Sequence, residues 1–140
     1  PCLVVAGEKD YGIRFYGVPA GFEFTTLLNT IQLVGRRESG LRPETRQRLA
    51  ELKEPLDISV FVTLTCPYCP MMAHLAHRFA FESDKVTASV IDAGEFPVLA
   101  NLHNVTSVPK TVVNRQHHFE GAMPEERFLS ELLRGIQQPA

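Results

Sequence analysis

Two cysteines separated by two residues, Cys66-Pro67-Tyr68-Cys69, are the residues in this chain with the most evident chemistry. They fall where an apolar, β-branched run (Ile58 to Leu64) gives way to a helical pattern reaching about Phe81. The first turn of a helix has free N–H groups and a dipole that favours negative charge. A cysteine placed there ionises more readily, and the thiolate is the nucleophile. The spacing predicts Cys66 at the helix start, exposed and reactive, with Cys69 one turn later beneath it. A two-residue gap lets the pair close a small disulfide with little backbone movement. Pro67 fixes φ in the first turn, and Tyr68 is read as a surface contact with a partner.

His74 and His77 follow, so the stretch also reads Cys-x2-Cys-x4-His-x2-His, a zinc-like spacing. On a continuous helix at ~1.5 Å per residue, His77 lies ~16 Å along the axis from Cys66. One zinc ion with bonds of ~2.0–2.3 Å does not span that distance. No metal is expected, and the two histidines are read as exposed or half-buried helix residues. The second signal is Thr106-Ser107-Val108-Pro109-Lys110-Thr111. Proline cannot sit inside a central strand, so Pro109 should open one.

The elements that must position these residues follow from periodicity. Leu3 to Ala6 reads as a strand, Gly7 to Asp10 as a turn, and Ile13 to Tyr16 as the returning strand of a hairpin. A helix is expected over about 22–36, with Phe24, Leu27, Leu28, Ile31 and Val34 on its apolar face. Pro43 suits the first position of a second helix, which carries Leu49 and Leu52. From Ile58 the order is β-α-β-α-β-β-α: buried strands at Ile58–Leu64 and Val86–Ile91, a short helix or turn over 96–103, a hairpin around Asn114-Arg115-Gln116, and a last helix. That helix has Glu125 and Glu126 at its start, Phe128, Leu129, Leu132, Leu133 and Ile136 on its apolar face, and Gly135 as its expected cap. A helix between two buried strands makes them parallel, so the fold class is α/β, a mixed sheet flanked by helices. The start of the chain repeats its end: strand, turn, strand, glycine, proline and helix recur from Pro1 and from Pro109. Residues 1–40 are read as a partial unit, 41–56 as a linker helix, and 57–140 as a complete catalytic unit.

The 140 residues carry 44% hydrophobic and 21% charged residues and a net charge of −2. That excludes a disordered chain. There is no basic block to track a phosphate backbone and no apolar run of the ~20 residues a membrane helix needs, so neither nucleic acid nor membrane is an expected partner. No signal-peptide pattern is seen, and a cytoplasmic location is expected. Three cysteines are too few for a disulfide scaffold.

Cys-Pro-Tyr-Cys at a strand–helix junction, with Val108-Pro109 opening a later hairpin, resembles thioredoxin-fold proteins. The closer resemblance is to the protein disulfide oxidoreductases of archaea and thermophilic bacteria, built of two fused thioredoxin- or glutaredoxin-like units. Phe15 to Gly21, Val60 to Pro70, Asn104 to Lys110 and Phe119 to Ala122 carry it. The resemblance implies that Cys66 is the attacking thiol, Cys69 the resolving thiol, and Pro109 a cis-proline facing them. Val108 would offer extended backbone to a substrate strand, beside Pro67 and Tyr68. The implied activity is reduction, formation or isomerisation of protein disulfides, with electrons from a thioredoxin-reductase-like donor or glutathione. No bound cofactor is expected, since no glycine-rich phosphate loop is present.

Two departures stand out. The front half of the first unit is missing, with its cysteine pair. The position six before Cys66, where many thioredoxins bury an acid, is Val60. Ile91-Asp92-Ala93-Gly94 and Val113-Asn114 also resemble the N-terminal module of the flavoprotein that reduces bacterial peroxidases, so an electron-shuttling module is the first alternative. A non-catalytic metal-binding or scaffold module is the second. The apolar strand at Leu3–Ala6 is expected to be covered by further polypeptide, by a second copy in a homodimer, or by the complete unit. Cys2 on that strand is read as a small buried residue, or as one half of a Cys2–Cys2 bridge across a dimer.

Overall fold

In the computed structural model, which describes residues 1–137, one six-stranded mixed sheet has the order β1-β2-β4-β3-β5-β6. The last three residues of the unit expected over 57–140 lie outside the described residues. In chain order the elements are β1 (Cys2–Ala6), β2 (Asp10–Tyr16), α1 (Glu23–Arg36), α2 (Pro43–Ala50), β3 (Leu56–Val62), α3 (Cys69–Glu82), β4 (Val86–Asp92), α4 (Pro97–Leu102), β5 (Lys110–Val113), β6 (His117–Glu120) and α5 (Glu125–Gln137). β3 and β4 are parallel, joined through α3, and β5 runs antiparallel to β3. The N-terminal hairpin joins the same sheet: Ile13 to Tyr16 of β2 pair in parallel with Ala88 to Ile91 of β4.

Strand alternation divides the interior into two faces. Ile13, Phe15, Ile58, Val60, Val62, Ala88 and Val90 point to the face covered by α1, α2, α3 and α5, and form the main core. Phe61, Ile91 and Val112 point to the other face, where Ala100 of α4 packs on them. Leu41, Leu49 and Leu52, around the expected linker helix, belong to the main core. Among the described residues no helix is long and apolar enough to cross a membrane.

Five expectations need correction. α1 is buried through Glu23, Thr26, Thr30, Leu33 and Val34, while Phe24, Leu28 and Ile31 of its apolar stripe are exposed. The cause is the docking of α1 against α3. His77 of α3 is fully buried, not half-exposed, and its Nδ1 lies 3.1 Å from the Thr30 hydroxyl. Its Nε2 lies 3.1 Å from the Arg14 carbonyl oxygen. That oxygen can only accept, so Nε2 carries the proton, and Nδ1 shares the single Thr30 hydroxyl proton with the Thr26 carbonyl oxygen, 2.7 Å from Thr30 Oγ1. Burial pushes the His77 pKa down to about 4, which keeps the ring neutral. α3 starts at Cys69, so Cys66 sits just ahead of the helix and not in its first turn. Cys2 is exposed on the outer strand, where Leu3 and Val4 are exposed as well.

Gly135 is the fifth. α5 runs through it, so it caps nothing. It is small because the helix touches the sheet there: a Cβ would lie 2.8 Å from Val113 Cγ1 and 2.9 Å from Val113 Cβ. Gly35, near the end of α1, has nothing within 4 Å of that position. Gly135→Ala is expected to cost about 1–3 kcal/mol through overpacking. Gly35→Ala is expected to stabilise by about 0.5–1 kcal/mol through helix propensity. Urea denaturation of both variants checks the pair, and equal effects would contradict this packing.

Candidate active site

The carboxyl ends of β2, β3 and β4 lie side by side, and the loops that leave them build the site. After β3 the chain turns, with the Cys66 N–H donating to the Thr63 carbonyl at 3.2 Å. Pro67 and Tyr68 form the turn before α3, and both are exposed. Pro70 falls in the first turn of α3, where a missing N–H costs nothing. Cys66 is half-buried and Cys69 fully buried, both as free thiols. The Val108–Pro109 peptide is cis, and the Val108 carbonyl oxygen lies 4.0 Å from Cys66 Sγ. The two stretches singled out in the sequence therefore meet.

Lys110 holds the second stretch in place. Its Nζ is buried and donates to the carbonyls of His103 and Asn104, at 2.8 and 3.0 Å. That ties the end of α4 to β5 and fixes both ends of the 104–109 loop.

Sequence reasoning misses Glu23. Its side chain is fully buried in the first turn of α1. The Thr26 hydroxyl donates to Oε1 at 2.7 Å, and Oε2 has no partner among the described residues. Burial pushes its carboxyl up to about 7; the Thr26 bond opposes this and the charge of Asp92 adds to it. Cys69 lies within reach of the same charge. Burial raises the Cys69 thiol, the adjoining Cys66 sulfur and the Glu23 carboxylate raise it further, and the Thr63 backbone opposes them. Val60 is wholly buried, as an apolar residue in mid-strand should be. An acid does stand beneath the thiols, but it arrives from the N-terminal hairpin and its helix. Nothing in local spacing links residue 23 to residue 69; only the β2–β4 pairing does.

Two glycines allow that approach. Gly21 has φ +55°, and a Cβ there would lie 2.5 Å from the Leu64 carbonyl oxygen. Gly17 has φ +117°, and a Cβ there would meet Asp92 Cβ and Glu95 Oε2 at 2.9 Å. Any other residue in this loop would lift α1, and Glu23 with it, off the loop after β3.

The zinc-like spacing is not gathered into a ligand set. His77 is committed to Thr30 and Arg14. Among the described residues no group of three or more His, Cys, Asp or Glu side chains is placed to hold a metal ion.

A mixed sheet flanked by helices, a dithiol at the start of α3 and a cis-proline beside it define a thioredoxin-like protein. The model of the thioredoxin domain matches residues 56–134, more than half of the chain, and the chain belongs to that family. A protein disulfide oxidoreductase from Aeropyrum pernix k1 superposes with a TM-score of 0.87 at 33% identity, over 94% of this chain and 58% of that one. The NTD_N/C domain of alkylhydroperoxide reductase AhpF from Enterococcus faecalis (V583) superposes with a TM-score of 0.86 at 27% identity, over 94% and 64%. An alkyl hydroperoxide reductase protein from Pseudomonas aeruginosa is 25% identical over 123 residues, 88% of this chain and 24% of that protein. The chain thus spans about a quarter of the length of the curated relatives it matches.

The raised pKa of Glu23 has a thermodynamic sign. The fold favours the protonated acid, so this group's contribution is fully present below its ordinary value of 4.5 and is lost as pH rises through about 7. Glu23→Gln, which mimics the neutral form, is expected to be more stable than wild type at pH 8, by on the order of 1–3 kcal/mol. Near pH 4 the difference should vanish. Denaturant titrations at the two pH values check this, and a pH-independent difference would contradict the burial of the charge.

Proposed function

We propose that the chain is a thiol–disulfide oxidoreductase acting through Cys66 and Cys69. The observation that carries the reading is the juxtaposition of a half-exposed Cys66, a buried Cys69 and the Val108 carbonyl 4.0 Å from the first sulfur. The Cys66 thiolate attacks one sulfur of a client disulfide; a mixed disulfide forms, and the other client sulfur leaves as a thiolate that takes up a proton. Cys69 gives its proton to the Glu23 carboxylate, and the Cys69 thiolate attacks Cys66 Sγ. The Cys66–Cys69 bond forms, the mixed disulfide breaks, and the second client sulfur leaves reduced. Two electrons pass from the dithiol to the client. A carboxyl with a pKa of about 7 can take a proton near neutrality and give it back in the reverse direction.

Pro67, Tyr68, Val108 and Pro109 are proposed as the surface that meets the client, with Val108 offering extended backbone for strand-like pairing. The likeness to alkyl hydroperoxide reductase proteins favours a second form of the reading, in which the dithiol passes electrons within a hydroperoxide-reducing system. A reductase-like donor then renews it. Sparse cysteine usage fits a cytoplasmic setting. The open β1 edge, with Leu3 and Val4 exposed, supports self-association through the N-terminal hairpin, which light scattering would measure.

Cys66→Ser is expected to abolish disulfide reduction, and Cys69→Ser to accumulate mixed disulfides detectable by mass spectrometry. Normal turnover of a protein disulfide by Cys69→Ser would sink the two-thiol mechanism. Glu23→Gln is expected to slow the resolving step roughly 10²- to 10⁴-fold, the scale of general acid–base catalysis. Its pH–rate profile should lose the inflection near 7, whereas a merely structural role for Glu23 would leave that inflection in place.

A further inference from the structure

The face of the sheet turned away from α3 is packed by α4 alone, where Ala100 sits on Phe61, Ile91 and Val112. Beside α4 a groove of about 740 Å³ opens on this face. That volume falls within the ~300–1,000 Å³ of small-molecule sites. None of the residues lining it belongs to the dithiol turn or to the cis-proline loop. Its floor is a cross-strand row. Ser89 on β4 pairs with Ser59 on β3, Ser59 with Val112 on β5, and Val112 with His118 on β6. Residues paired in this way share a face, and four strands at ~4.8 Å spacing carry the row ~14 Å across the sheet. Both serines are half-buried, and among the described residues neither hydroxyl has a hydrogen-bond partner. Leu99 and Leu102 of α4 form the wall above them.

One end of the row is basic. The His103 and His118 rings lie 5.8 Å apart, and His103 rests on Phe61 with 5.6 Å between ring centres. Lys110, two residues before Val112, shares its face of β5. The Lys110 ammonium is buried and donates to two carbonyls, and among the described residues it has no carboxylate partner. Glu120, opposite it in the register, accepts from the Ser107 hydroxyl instead. Burial, and then the charges of Lys110, His103 and His117, push the His118 pKa down, so positive groups crowd this corner. A buried cation without a carboxylate is costly, and an anion in the groove relieves that cost. The one acid lining the groove among the described residues is Asp57, a row further toward the amino end of β3. It accepts from the Thr87 hydroxyl at 3.0 Å, and Arg115 lines the same end.

We infer that this groove binds a small organic acid. Its carboxylate is held by His103 and His118 in the field of Lys110. Its apolar body lies over Val112 and Ile91 against Leu99 and Leu102, and Ser59 and Ser89 meet its polar substituents. The site stands apart from the thiol chemistry, on the opposite face of the sheet from α3.

The test titrates the isotope-labelled full chain with three probes and reads NMR chemical shifts. Phenylpropionate supplies charge and apolar body, phenylpropanol the body alone, and acetate the charge alone. Saturable shifts are expected with phenylpropionate at Ser89, Ile91, His103, Val112 and His118. It should bind at least ~10-fold more tightly than phenylpropanol, the scale of a hydrogen bond to a charged group, and acetate should not saturate. His118→Ala should narrow the gap between acid and alcohol by ~5-fold or more. Ser89→Phe, which fills the floor, should abolish binding of both, and Ile31→Ser, on the exposed side of α1, should change neither. Phenylpropionate binding no more tightly than the alcohol, or shifting only residues outside the groove, would overturn the inference. So would an affinity unmoved by His118→Ala, a change at an exposed residue that decides the matter even if Ser89→Phe does not fold.

Discussion

The parallel pairing of β2 with β4 is the constraint on which the rest of the site depends. Four residues, Ile13 to Tyr16, lie beside Ala88 to Ile91 and add the N-terminal hairpin to the sheet that carries the dithiol. Because β2 ends beside β4, the loop that follows it must cross the loops leaving β4 and β3. Because α1 follows that loop, it must lie against α3. The register therefore determines that Glu23, and no residue of β3, is the acid beneath Cys69.

The α1–α3 interface shows how a polar seam is made tolerable. Glu23 meets the Thr26 hydroxyl, Thr30 meets His77, and His77 meets the Arg14 carbonyl. Each contact satisfies a group that would otherwise be buried without a partner, which is the expensive case. The exceptions among the described residues are Glu23 Oε2 and, on α3, His74 Nδ1, both left unpaired. An unpaired oxygen on a buried acid raises the cost of the charged form, and that cost is what brings its pKa up to about 7. One of the two unpaired atoms is thus the one the proposed proton transfer uses.

Much of this is legible in the sequence. The Cys-x2-Cys spacing after a buried strand locates the dithiol, and the proline before the last hairpin locates the loop beside it. The element order from Ile58 follows from periodicity alone, because each strand there is a short apolar run bounded by turn residues. The buried face of α1 is not legible. Counting apolar residues selects Phe24, Leu28 and Ile31, the first two at the same spacing as Phe128 and Leu132 on the core side of α5. In α5 that stripe faces the sheet. In α1 the helix docks through Glu23, Thr26 and Thr30, and the stripe faces outward. Periodicity reports where apolar residues lie on a helix, not which side a neighbouring helix covers. The acid is hidden for the same reason: Glu23 in a first helical turn reads as an ordinary partner of the helix dipole.

The origin of Glu23 bears on modularity. Residues 56–137 contain β3, the dithiol, the cis-proline loop and every element that follows, so by outline they could pass for a self-sufficient catalyst. By the proton inventory of the proposed mechanism they are incomplete. On the proposed mechanism, dissection of the chain between α1 and α2 would separate a two-electron carrier from its one-proton acceptor. The boundary that looks like a seam between repeats thus runs through the middle of a single chemical apparatus. Grafting this redox centre onto another scaffold would mean transplanting the hairpin and α1 as well.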